Sequence, residues 1–156
     1  MTLGYFTFVL HSHLPYVRLA GRWPHGEEMV HQAIAETYIP LLNALNDLKA
    51  DGYNPRLTIG LTPILIEQLV DADVRNHFDM YVEERLSLIE ADLTRFQAEG
   101  SAHLAYLAGY YRDWYGTIRD SFRNRYGRDI VPAFRKLQDE GNLEIITSAA
   151  THSYLP

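Results

Sequence analysis

Cysteine is absent from the 156 residues, so neither a disulfide framework nor a thiolate metal site can form in this chain. That absence fits a reducing compartment. Positive charge is also in short supply: 14 Lys and Arg stand against 20 Asp and Glu, for a formal net charge of -6. Such a balance gives no electrostatic footprint for nucleic acid or an anionic membrane surface. The opening residues, MTLGYFTFVLHSH, lack a basic region, and their apolar run is too short for a signal peptide or a membrane span. A cytoplasmic protein is the expectation. Internal repeats, low-complexity tracts and interdomain linkers are missing as well, which places every element in one architecture.

What remains is ordinary globular material, 47% hydrophobic and 22% charged. Residues 5–10 are aromatic and β-branched with no polar alternation, the pattern of a strand buried on both faces. After a loop holding Pro15, Gly21, Pro24 and Gly26, the spacing of Val30, Ile34, Tyr38, Leu41, Leu45 and Leu48 follows one helix face, with a kink expected at Pro40. Breakers at residues 51–55 lead into a second strand over residues 56–61. From Pro63 to Tyr126 the pattern predicts two or three helices broken near Asp71 and Gly100, with Leu86, Ile89 and Leu93 as one apolar stripe. Asp129 is a possible N-cap for a last helix bearing Ile130, Phe134 and Leu137, which Gly141 stops before a third strand at residues 143–147.

Strand, helix, strand implies an α/β fold with a parallel sheet. Three strands make a poor sheet by themselves, because two edges stay open and apolar faces stay uncovered. The chain is short for a closed barrel. It stops almost directly after a strand, so further sequence is expected beyond Pro156 and the chain reads as one incomplete domain.

The positions able to carry chemistry gather where strands end. In HSHLPY, His11 and His13 are two residues apart, so in an extended chain both imidazoles leave one face at the carboxyl end of the first strand, where parallel α/β folds bind ligands. Capping of loop amides is the bland alternative. Thr147, Ser148, Thr151, His152 and Tyr154 follow the third strand and suit a polyhydroxylated ligand. In GRWPHG, Trp23 is either an exposed indole for a sugar ring or an anchor folded back onto the next helix. Leu107, Tyr111, Trp114, Ile118 and Phe122 share a helical face and are expected in the core. Arg119, Arg123, Arg125 and Arg128, interspersed with Asp120 and Asp129, are expected on a solvated face. Glycosidic chemistry needs two carboxylates across the scissile bond, and no strand end here supplies them. Glu67 lies inside an expected helix, and Glu144 starts the third strand on the side away from a carboxyl-end site.

Together HSHLPYV, GRWPHGEE, ETYIPLL and LEIITSAATHSYLP resemble the N-terminal part of glycoside hydrolase family 57, most closely its α-glucan branching enzymes, from Leu3 to Pro156. The resemblance implies part of an incomplete (β/α)7 barrel, retaining chemistry on α-1,4-glucan, and transfer of the cut segment to a 6-hydroxyl. It implies no metal or organic cofactor, and α-glucan as the partner. By position, His11 and His13 are similar to the first-region histidines of the sugar site, His152 to the second-region histidine, and Trp23 to a loop tryptophan near the glucan groove. The catalytic glutamate and aspartate of the family would lie past Pro156. Leu14, where many relatives of other specificity carry glutamine, favours the branching group. Two readings compete: a short non-catalytic glucan-binding protein, and a metal-dependent hydrolase using His11, His13 and His152 as ligands.

Overall fold

The computed structural model describes residue 4 and residues 6–154. Strand and helix alternate as β1 (Val9–Ser12), α1 (Glu28–Ala33), a π-helical turn (Ile34–Tyr38), α2 (Ile39–Ala50), β2 (Leu57–Leu61), α3 (Pro63–Val70), α4 (Ala72–Ala98), α5 (Ala102–Asp120), a second π turn (Ser121–Arg125), α6 (Val131–Asp139) and β3 (Leu143–Ile146). The strands form one parallel sheet in the order β1-β2-β3. Leu10, Ile59 and Ile145 stand in register across it, as do His11, Gly60 and Ile146.

Period-two alternation gives this sheet two unlike faces. Ser12, Ile59, Leu61 and Leu143 turn toward the helices and are buried, whereas Val9, His11, Glu144 and Ile146 share the opposite face and are exposed. The described helices therefore cover one face only, the arrangement of a barrel wall rather than of a doubly wound sheet. This corrects the first-strand expectation. The strand spans residues 9–12, not 5–10, so it contains His11; Tyr5 lies outside the described residues. It is not buried on both faces either, because it is a sheet edge with Val9 64% exposed.

Pro40 does not break its helix. It lies within the first turn of α2, directly after a π turn in which the Ile39 N–H reaches back to the Ile34 carbonyl. The wider turn relieves the clash a proline ring makes with the carbonyl four residues earlier. Leu45 is buried on the predicted face, but Leu48 is 42% exposed near the helix end. Pro63 opens α3 at a position where a missing N–H costs nothing. The break at Asp71 is an N-cap: its carboxylate accepts from the N–H groups of Asp73 (2.9 Å) and Val74 (3.1 Å) and starts α4. Gly100, at φ 69, turns α4 back into α5. Ile130, not Asp129, occupies the cap position of α6, although the Asp129 carboxylate still accepts from Val131 N–H at 3.1 Å.

The core lies between the covered sheet face and the helices, with Ile39, Leu42, Leu65, Phe78, Tyr81, Phe122 and Phe134 fully buried. Leu86 and Ile89 pack at its margin. Of the residues expected on one buried face, Ile118 on α5 and Phe122 in the second π turn are buried, but Tyr111 on α5 is half exposed. The arginines are not merely solvated. Arg123 and Arg128 both bond Asp79 on α4 at 2.7 Å, and Arg125 reaches Asp47 on α2 at 2.7 Å, so they tie helices together.

Candidate functional site

Parallel pairing brings the carboxyl ends of all three strands to one edge. His11, last but one in β1, and His13, just past it, flank the inward Ser12, so alternation sends both imidazoles to the open side of the sheet. His152, from the loop after β3, meets them both. Its ring centroid lies 4.8 Å from that of His11 and 4.5 Å from that of His13. The loop is held by Ile64 N–H, at the start of α3, which donates to the Ala150 carbonyl at 3.2 Å, and by His152 N–H donating to Ala149 at 2.8 Å. His152 takes a left-handed φ of 57.

Central β2 contributes by being small. Gly60 pairs with His11 on one side and Ile146 on the other, and a Cβ there would stand 3.6 Å from His11 Nδ1. An alanine there would make only ordinary contact with the imidazole, leaving crowding to larger side chains. Thr62, buried after β2, puts its hydroxyl 3.2 Å from His13 Nδ1. Burial, then the neighbouring His152 and His11, push the His13 pKa below its ordinary value, so the ring is neutral near pH 7. Neutral imidazoles both donate and accept hydrogen bonds, as hydroxyl-rich ligands require. Among the described residues no three His, Asp, Glu or Cys side chains are disposed to hold a metal ion. The three rings meet edge-on and tilted against one another.

Trp23 is 76% exposed, so it is not folded back onto the next helix as an anchor. Neither Trp23 nor Tyr154, which is 95% exposed, joins the imidazole contacts. Glu67 is exposed on α3, and Glu144 accepts from Thr58 Oγ1 at 2.8 Å on the neighbouring strand.

Several contributors gave no sequence signal. Gln68, fully buried on α3, accepts from Val17 N–H at 2.8 Å and donates to the Pro15 carbonyl at 3.1 Å, fixing the segment after His13. Glu27, 3% exposed, accepts from Leu19 N–H at 3.2 Å through one oxygen and lies 2.6 Å from His77 Nδ1 through the other. Beneath it His31 is wholly buried against Tyr81 and Phe78, and neither ring nitrogen makes a well-formed hydrogen bond. Burial pushes its pKa down to about 4, against a partial upward pull from Glu27. Only Thr62 could have been found beforehand, since it too follows a strand end.

Known proteins are similar to this chain in sequence and fold. The profile of Glycosyl hydrolase family 57 matches residues 7–156. The chain is 44% identical over 153 residues to a 1,4-alpha-glucan branching enzyme of Thermococcus kodakarensis, covering 98% of this chain and 22% of that one. A probable 1,4-alpha-glucan branching enzyme of Mycobacterium tuberculosis is 31% identical, with 98% and 31% covered. Among solved structures, a GH57-type branching enzyme from Pyrococcus horikoshii superimposes with a TM-score of 0.90 at 45% identity, over 97% of this chain and 28% of that one. An alpha-amylase of Thermotoga maritima gives 0.85 at 34%, over 96% and 28%. The chain thus spans between about a fifth and a third of the length of these relatives. By the match along nearly its whole length, it belongs to glycosyl hydrolase family 57.

Proposed function

We propose that the chain is the N-terminal portion of the catalytic barrel of a 1,4-α-glucan branching enzyme. The whole protein would cleave α-1,4-glucan with retention and pass the segment to a glucose 6-hydroxyl as an α-1,6 branch, in cytoplasmic synthesis of a glycogen-like polymer. The carrying observation is the meeting of His11, His13 and His152 on the open sheet face at the carboxyl edge. Their imidazoles bind and orient sugar hydroxyls, Trp23 stacks on a glucose ring, and Tyr154 adds a phenol. The higher identity to the Thermococcus kodakarensis and Pyrococcus horikoshii branching enzymes, 44% and 45%, than to the amylase, 34%, and Leu14 beside His13, support branching over hydrolysis. The strand ends of this chain carry no carboxylate, so the nucleophile and the acid/base come from elsewhere in the whole protein.

In the full-length protein, His11→Ala and His13→Ala should lower turnover on amylose roughly tenfold or more, the scale of one lost hydrogen bond to the reacting sugar, with little change in unfolding midpoint. Equal loss of activity and stability would refute the sugar-site role. The 156-residue chain itself should form no α-1,6 linkages from amylose. Glucan binding by a full-length protein that neither cleaves nor branches would instead support a non-catalytic glucan-binding protein.

A further inference from the structure

The loop at residues 18–27, which carries Trp23, is joined to α4 by polar ties across a cavity. A cavity of about 380 Å³ separates it from α4, lined by Leu19, Gly21, Arg22, Glu27, His77 and Met80. The loop therefore does not rest on a solid apolar bed. Three polar ties cross to α4: Arg18 to Asp73 at 2.9 Å, Glu27 to His77 at 2.6 Å, and Arg22 to Glu84. Within the loop, Glu27 N–H donates to the Gly21 carbonyl at 2.9 Å and the Glu27 carboxylate takes Leu19 N–H at 3.2 Å. Gly26 passes so near Gly21 that a Cβ would lie 2.0 Å from its carbonyl oxygen. The indole, at 76% exposure, contributes little to holding the loop.

Burying a carboxylate is an expensive way to add stability, since its desolvation offsets most of what pairing returns. What the Glu27–His77 pair does secure is geometry, because both carboxylate oxygens are directed, one to the loop and one to α4. An indole held in place before a ligand arrives forfeits less conformational entropy on binding than one on a free loop. We infer that Glu27, locked by His77, is a positioning residue that fixes Trp23 for stacking against an α-glucan ring. This rests on the reading of Trp23 as a glucan contact given above.

In the full-length protein, 5-fluorotryptophan labelling gives one fluorine resonance per tryptophan, and Trp23→Phe and Trp114→Phe assign the two that belong to this chain. In Glu27→Ala and His77→Ala the Trp23 line should narrow and move toward free 5-fluorotryptophan while the Trp114 line stays. Maltoheptaose affinity, read from the Trp23 line, should fall about tenfold. Glu27→Gln, which keeps an oxygen for Leu19 N–H, should restore part of both. An unmoved Trp23 line in the alanine variants overturns the inference. Should Glu27→Ala disturb Trp114 as well, His77→Ala decides alone, because His77 is 44% exposed and its loss leaves the core intact. If maltoheptaose leaves the native Trp23 line unmoved, the glucan reading of Trp23 falls; the variant lines still report separately whether the pair holds the indole.

Discussion

Replacing His31 by leucine should change how stability depends on pH more than any other single substitution in the core. The ring is wholly buried, both nitrogens lack a well-formed hydrogen bond, and its pKa stands at about 4 instead of 6.5. Between those values the unfolded chain takes up a proton that the folded chain refuses, so stability rises with pH there and is lost as pH falls. One pKa unit corresponds to about 1.4 kcal/mol, which makes the loss from pH 6.5 to 4 about 3 kcal/mol for this residue. Glu27 opposes the depression, whereas His77 and Arg22 add to it, so those side chains must stay unchanged in the comparison. Leucine has nearly the volume of histidine and removes two unsatisfied nitrogens, for a gain of about 1 kcal/mol at neutral pH. Urea unfolding of both proteins at pH 7 and at pH 4.5 reads the difference directly, with carboxylate contributions cancelling between them. Equal pH slopes in the two proteins would refute the claim that His31 is buried and neutral.

Two further substitutions test how the site is supported. Gln68→Leu should cost about 1–3 kcal/mol, because the buried Val17 N–H loses its acceptor; a midpoint unchanged in urea would show that this bond does not fix the segment after His13. Asp71→Ala should cost about 1 kcal/mol by uncapping α4. Burial raises the Asp71 pKa, but Val74 N–H and Arg18 outweigh it and hold it below the ordinary value, so this stabilisation is present at neutral pH and lost as pH falls through the folded pKa. A difference between native and variant that persists at pH 2 would contradict that origin.

The alternation of strands and helices, their breaks at Asp71, Gly100 and Gly141, and the placement of His11 and His13 on one face at a strand end were legible because they depend on period, caps and breakers close along the chain. The same local signals misplaced the first strand and buried Tyr111, since apolar character alone does not say which face another element covers. Only tertiary structure decided that the sheet is covered on one side, that His152 returns across β2 to touch His11 and His13, and that Glu27 of the Trp23 loop pairs with His77 on α4 while His31 is wholly buried. These contacts join residues far apart in sequence, and they form only because parallel pairing brings every strand's carboxyl end to one edge. The sequence by itself determined which elements form and which face of each strand its side chains take; long-range packing decided which of those faces meet.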